Sequence, residues 1–329
     1  MTPRGEVRFE RIPTPEVPWT DLDRREDRTA YQTLPWLDVL AATQGAEPLV
    51  ARVHHGGEPA GWFTGAVGRT RGLRVLGAPL RGWTTGAMGF NLDRPVPPAA
   101  LMTELRRYAF GSLRCHHLEV MSRRGLTEDA PRFHADQLPG FGIDLQRPED
   151  ELFAAMSTMA RRNVRRASRD GVTVEEIGPE HTASVAAELH HHLRLTFALH
   201  GSQVRFGPER IDTVLRLTHR PGTLLVLRAV APDGRTAASG LFPGVPGGVA
   251  GMWMAAGDPE LRNLRPNEAL MWAAITGWRR RGARWFELGG GGDYKAKFGG
   301  HPDPVPWPRT SRWPGTEVAR RLVLRHARR

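Results

Sequence analysis

Apolar residues recur at helical spacing in "YQTLPWLDVLAAT" through Leu34, Leu37 and Leu40/Ala41, which predicts a short helix. The stretch "EPLVARVHHGGEPAGWFTGAVGRTRGLRVLGAP" instead predicts a strand, a turn at His54-His55-Gly56-Gly57, a second strand and a further one. A glycine-rich loop, "LRGWTTGAMGFNL", follows, then a helix over "PAALMTELRRYAFGSL" with a basic edge and a strand over "CHHLEVMS". Residues 1–30 are polar and proline-rich and are expected to be an extended lead-in. The first half therefore runs helix, strands, helix, strand and closes near Pro148.

The second half opens on a predicted helix over about 150–170 in "PEDELFAAMSTMARRNVRRASRDGVTVEEIG". Glu149, Asp150 and Glu151 sit in its first turn, where negative charge complements the helix dipole. Leu152, Met156, Met159, Val164 and Ala167 are its expected apolar stripe, and Gly171 its stop. "VTVEEI" reads as a strand, "TASVAAELHHHLRLTFALHG" and "GPERIDTVLRLTHR" as helices, and "TLLVLRAVAPDGRTAASGLFPGVPGGVAGMWMAAG" as a meander of strands. "PNEALMWAAITGWRRRG" is a helix with Pro266 at its entrance and Gly282 past its end. "ARWFELGGGG" is the strand after it, and the remaining chain is proline-rich and ends in a basic helix. The repeated order of elements implies a duplicated α/β fold, with domains at 1–147 and 148–300 and a basic tail at 301–329.

Composition adds constraints. The chain of 329 residues is 40% hydrophobic and 25% charged, as soluble globular proteins are. No apolar run approaches the roughly 20 residues that span a bilayer. The N-terminus has no apolar signal-peptide core, so the protein is expected in the cytoplasm. Cys115 is the sole cysteine, which excludes intramolecular disulfides and cysteine-based zinc sites. The net charge of +11 suits a polyanionic partner or reflects an arginine-rich composition.

Two of the 46 Lys+Arg residues are lysine, and both lie in "ELGGGGDYKAKFGGHP", at Lys295 and Lys297. Arginine is a wide planar fork, whereas lysine is a compact ammonium on a flexible stem. A site that places one point charge beside a developing oxyanion resists arginine. The preceding quartet Gly289 to Gly292 permits close approach of backbone to substrate and can offer N–H groups to an anion. Arg161, Arg165 and Arg169 fall on one helical face with Arg162 and Arg166 beside them, a positive stripe about 12 Å long. Acid is not interleaved until Asp170, so phosphate is the natural counter-charge.

Three segments resemble the FemAB-like branch of the GNAT acyltransferase superfamily. "MARRNVRRASRDGVTV" resembles its R-x-N-x-R-x-A…G-V-x-V pattern. "DPELRNLRPNEALMWAAITGWRRRGARWFELGG" resembles its helix and G-x-x-x-F-D-x-G strand, with Glu287 in place of aspartate. "DYKAKFGG" resembles its FK-x-(K/R)-FGG, with Tyr294 at the aromatic position. The first half matches more weakly, through "LPWLDVL" and "PLRGWTTG". The resemblance implies two tandem GNAT-like α/β domains, each a mixed, mostly antiparallel sheet flanked by helices, facing across a cleft. It also implies acyl transfer to an amine, with aminoacyl-tRNA or acyl-coenzyme A as donor. The helical hairpin insertion of some cell-wall members is missing.

Aminolysis passes through a tetrahedral oxyanion that needs preorganised donors. By resemblance, Lys295 stabilises that oxyanion or binds the donor's terminal phosphate, with Tyr294 and Asp258 as further catalytic candidates. Lys297, turned the other way if the segment is extended, is expected to contact phosphate with Gly290, Gly291 and the five arginines. Arg205, Trp83, Trp253 and Glu287 are the acceptor-side candidates, with core or structural roles as their alternative. His190–His192 are adjacent on a helix, diverge, and are not expected to hold metal. GNAT enzymes that use coenzyme A hold its pyrophosphate on a (Q/R)-x-x-G-x-(G/A) loop at a helix N-terminus. The matching "LRNLRPNEAL" has no glycine, and Glu268 in the first turn is expected to repel a pyrophosphate. The lead expectation is a tRNA-dependent aminoacyltransferase acting on an amine of a small metabolite or of a cell-wall or natural-product precursor, with no cofactor beyond its donor. An acyl-coenzyme A N-acyltransferase and a silent RNA- or polysaccharide-binding protein are the alternatives.

Overall fold

The structure is a computed structural model that describes residues 6–313 except 71, 127–129, 200, 221, 291 and 292, and of residues 183, 293 and 294 the backbone only. The chain runs β1 (Val7–Ile12), α1 (Trp19–Leu22), α2 (Leu34–Gln44), β2 (Glu47–His55), β3 (Glu58–Thr70), β4 (Leu73–Ala78), β5 (Gly89–Leu92), α3 (Pro98–Phe110), β6 (His117–Val120), β7 (Gln137–Leu138) and β8 (Gly140–Asp144). It continues as α4 (Glu149–Ala155), α5 (Thr158–Arg169), β9 (Thr173–Glu176), α6 (Thr182–Leu199), α7 (Pro208–Thr218), β10 (Leu224–Val230), β11 (Thr236–Pro243), β12 (Val249–Gly251) and β13 (Met254–Gly257). Last come α8 (Pro266–Arg280), β14 (Trp285–Gly290), β15 (His301–Pro302), β16 (Val305–Pro306) and β17 (Arg309–Ser311). Among the described residues no helix is long and apolar enough to cross a membrane.

Two compact units result. The first takes the chain up to Trp19, Leu40–Leu138 and the chain from Pro304 onward; the second takes Thr20–Val39 and Pro139–Asp303. The lead-in is therefore not plain extended chain: it supplies β1 and the helical turn α1. Strand pairing decides where the units divide. β8, upstream of residue 147, pairs with β14 of the second unit. β17, in the proline-rich tail, pairs with β6 of the first. The basic helix expected at the end lies outside the described residues.

In the first unit, β1-β2-β3-β4-β6-β17 form one sheet in that order, with β5 also on β3. Of these pairings only β4–β6 is parallel, and α3 makes the crossover. β1 and α3 bring Phe9 and Tyr108 together, stacked at 5.4 Å, and Phe9 meets Phe63 edge-on at 6.0 Å.

The second unit has two four-stranded sheets, ordered β13-β11-β10-β9 and β12-β14-β8-β15. Again one pairing is parallel, β12–β14, and α8 makes the crossover. Strand, helix and parallel strand thus recur in both units, each sheet being otherwise antiparallel, as the duplicated pattern predicts. The core of this unit gathers Leu225, Leu227, Phe242, Phe286 and Trp278. The Trp278 indole is fully buried, and its N–H donates to Phe242 O at 2.8 Å, so burying the ring leaves no donor unpaired.

The helix expected over 150–170 is broken. Met156 takes an extended conformation (ψ 149°) and ends α4. The Ser157 hydroxyl accepts the Ala160 N–H at 3.2 Å and so caps a new helix, α5. The Ser157 N–H donates to Lys297 O at 2.9 Å. The inward face of α5 is Ala160 and Ala167, both fully buried, while Met159 of the expected stripe is 71% exposed. Two alanines let α5 lie close on α8.

Candidate functional site

The site begins where one strand changes sheets. Met252 N–H still donates to Glu287 O of β14 at 2.9 Å, but Trp253 N–H donates to Leu241 O of β11 at 3.0 Å. From there β13 follows β11, while β14 stays with β8 as far as Gly290. β13 is the outer strand of its sheet. Asp258 N–H bonds Ala237 O at 2.9 Å. Bonded pairs alternate along an antiparallel ladder, so the N–H and C=O of Ala255 and Gly257 face the open edge.

A cavity of 440 Å³ occupies this divergence. Met252, Ala255 and Gly257 line one side, Leu288 and Lys295 another, with Asn267 and Leu270 of α8 and Thr196 of α6 completing it. The wall is apolar apart from the strand edge, Asn267, Thr196 and one ammonium. Such a slot has backbone donors and acceptors along one side and apolar side chains along the other.

Lys295 stands on a 3-10 helix, Asp293–Phe298, rather than on an extended segment. Its Nζ donates to Gly290 O at 2.6 Å, and burial pulls its pKa below the ordinary lysine value. Gly289 has φ 74°, a left-handed conformation that glycine adopts without strain, and a Cβ there would stand 3.3 Å from Nζ. Gly289 therefore takes a left-handed turn beside the lysine, and the next residue, Gly290, holds it by its carbonyl. Gly291 lies outside the described residues, as does the Tyr294 side chain.

Lys297 does not face outward as a phosphate contact. Its Nζ pairs with Glu268 Oε1 at 2.8 Å, and Asn163 Nδ2 donates to the same oxygen at 3.1 Å. Glu268 is buried in the first turn of α8. The carboxylate expected to repel a pyrophosphate is thus neutralised by Lys297 and solvated by Asn163. This gives Asn163 a role that its sequence context leaves open: it ties α5 to α8.

The five arginines of α5 do not act alike. Arg161 turns back to cap α4, donating to Ala154 O at 2.5 Å and Met156 O at 2.8 Å. Arg166 pairs with Asp170 at 3.0 Å. Arg165 lies 5.0 Å from the Phe153 ring. Arg162 and Arg169 are exposed and make no ion pair among the described residues. The cationic face is therefore Arg162, Arg165 and Arg169.

Of the acceptor-side residues, Trp253 and Glu287 belong to one cluster. Trp253 meets Trp36 edge-on at 5.8 Å, and Trp36 meets Tyr31 at 4.7 Å. Burial, then the Glu287 charge, drives the Tyr31 pKa far up, so its hydroxyl stays protonated. Leu288 lines the cavity, and the pleat turns Glu287 to the opposite face. Tyr31 and Trp36 escaped the sequence reading because they stand just before and within α2, more than 200 residues from Trp253 and Glu287. Trp83 lies in the first unit, buried over Gly68 and Gly77, where added Cβ atoms would come within 3.3 and 3.0 Å of its ring. Arg205 is exposed in the loop between α6 and α7. The Asp258 carboxylate accepts the Glu260 N–H at 2.9 Å and caps a 3-10 turn, a structural duty next to the cavity residue Gly257. Of the three histidines on α6, His190 bonds Phe206 O at 2.8 Å, while the rings of His191 and the buried His192 lie 5.9 Å apart.

Residues 158–297 match the family model described as "Acetyltransferase (GNAT) domain". Among solved structures the chain is similar to FemX, with 12% identity and a TM-score of 0.68 over 91% of this chain and 96% of that one. It is similar to the C-terminal domain of a putative lysylphosphatidylglycerol synthetase from Agrobacterium fabrum, with 14% identity and a TM-score of 0.57 over 93% of each chain. It is also similar to a tandem GNAT protein from the clavulanic acid biosynthesis pathway, with 15% identity and a TM-score of 0.55 over 94% of this chain and 99% of that one. No curated protein sequence matches the chain.

Proposed function

With the GNAT fold established and a GNAT domain at residues 158–297, we propose that this protein is an acyltransferase that moves the amino acid of an aminoacyl-tRNA onto a small-molecule amine. The observation that carries the proposal is the slot between β13 and β14, ended by a desolvated lysine that its own glycine run holds in place. The acyl chain lies along the free edge of β13. The acceptor amine attacks the ester carbonyl, a C–N bond forms, and the C–O bond to the terminal ribose breaks. The proton lost by the amine leaves with the ribose oxygen as its hydroxyl. The Lys295 ammonium stabilises the oxyanion between these steps, in a medium drier than water where one charge counts for more. The exposed arginines of α5 and the similarity to FemX support tRNA as donor.

A second reading, acyl-coenzyme A as donor, is favoured by one observation. Because Lys297 neutralises Glu268 while Asn163 hydrogen-bonds it, the first turn of α8 no longer repels a pyrophosphate. Incubation with a pool of charged tRNA, and separately with labelled acetyl-coenzyme A, each with amine-rich extract and with or without RNase, decides between them. RNase-sensitive transfer of one amino acid supports the first reading; RNase-insensitive transfer from coenzyme A replaces it with the second.

A further inference from the structure

A second cavity, of 910 Å³, opens on the outer side of α8, between α4, α5 and α8. Phe153 and Trp272 stand at its wall with ring centroids 5.0 Å apart and planes inclined at 60°. Both are half-buried, so part of each ring faces the hollow. Arg162, Arg165 and Arg169 line the same space. Glu149 and Asp150 stand at its rim, but Glu149 is engaged by Arg280 at 3.2 Å. Three cations therefore face one carboxylate that has no ion pair among the described residues.

Each half of this lining points to the same ligand chemistry. A simple anion needs no aromatic planes, and an apolar ligand needs no arginines. Aromatic faces beside guanidinium groups match a nucleobase with its phosphates, the combination by which single-stranded nucleic acid is held. Position supports this. Glu268 and Trp272 are one turn apart on the same face of α8, about 6 Å along its axis. Glu268 holds Lys297, two residues from Lys295 at the acyl slot. The hollow thus flanks the acyl site from the far side of α8, away from the helix's first turn where a diphosphate would meet the dipole.

We propose that this hollow is a base-stacking and phosphate-binding subsite for the single-stranded 3′ end of the donor RNA, upstream of the acylated ribose; this rests on the aminoacyl-tRNA reading above. The test uses the full chain and a fluorescein-labelled single-stranded RNA tetranucleotide with the sequence of the tRNA 3′ terminus, followed by anisotropy at low and moderate salt. Arg162→Glu and Arg169→Glu change exposed side chains only, and Phe153→Leu keeps apolar bulk while removing the ring. Each is expected to weaken RNA binding about tenfold, the size of one lost stack or phosphate contact. Each is also expected to raise KM for charged tRNA while leaving kcat near wild type. RNA binding unchanged in all three variants overturns the subsite. Displacement of the RNA by acetyl-coenzyme A also overturns it, because the hollow then takes the coenzyme's nucleotide. Transfer from acetyl-coenzyme A with none from charged tRNA overturns the donor reading itself, whatever the RNA binding shows. Intact tRNA-dependent transfer with insensitive variants overturns the subsite alone.

Discussion

Replacing Lys297 by methionine keeps most of the side-chain volume but leaves the Glu268 Oε1 atom with the Asn163 amide and no cation. Stranding one member of a buried pair costs about 3–5 kcal/mol. Here the side chains are 19% and 11% exposed and the asparagine bond survives, so a smaller cost, about 2–3 kcal/mol, is expected. For a cooperative unit of roughly 150–250 residues that is a fall of about 4–12 °C in Tm. Adding Glu268→Gln removes the stranded charge while keeping an acceptor for Asn163, and should restore at least half of the loss. Thermal unfolding of the four proteins closes a double-mutant cycle, with a coupling of about 0.5–3 kcal/mol expected. A Tm for Lys297→Met within about 1 °C of wild type, or strictly additive losses, would refute the pairing. The ammonium would then be free for a phosphate, as its place in the sequence motif suggests.

Other outcomes follow from the same geometry. Lys295→Met should lower kcat by about 10²–10³, the cost of one oxyanion donor, with little change in unfolding. Burial depresses the Lys295 pKa below 10.5, so activity that depends on the ammonium should fall with rising pH before 10.5, and the variant should lack that limb. In the same window the unfolded chain binds more protons, so stability should rise as activity falls; parallel loss of both would contradict this. Gly142→Ala puts a Cβ 2.3–2.5 Å from three Trp285 ring atoms, and Trp285 is tied to Asp303 at 3.2 Å, so a loss of about 1–3 kcal/mol is expected in urea denaturation. An unchanged midpoint would show that the ring gives way freely. Burial pushes the Cys115 thiol up to about 11, so a disulfide reagent at pH 8 should label it only after denaturation. Stoichiometric labelling of the folded protein would contradict its buried position.

Local signals carried much of the fold into view. Pro266 and Gly282 bracket α8 because a proline at a helix entrance and a glycine past its end act within a few residues. The lysine pair drew attention to the segment that closes the acyl slot. What stayed hidden was decided at long range or by a single atom. Nothing near Lys297 announces Glu268, 29 positions away, or Asn163 beyond it. Ser157 breaks a helix that charge and periodicity alone continue through, because its hydroxyl competes for the next turn's N–H groups. β8, "GFGID", has too few β-branched residues to read as a strand, yet it sits between β14 and β15 because small residues let Trp285 lie across it.

The interleaving of chain segments between the units sets an order in time. The first unit's sheet ends on β17, which the ribosome delivers only after all of the second unit has been made. The second unit in turn keeps residues 20–39, synthesised while the first is barely begun. The second unit has all of its residues once Asp303 is made, but the first stays unfinished until the chain beyond it follows. The segment made earliest waits for the one made last, and a single cut anywhere between them releases no whole half.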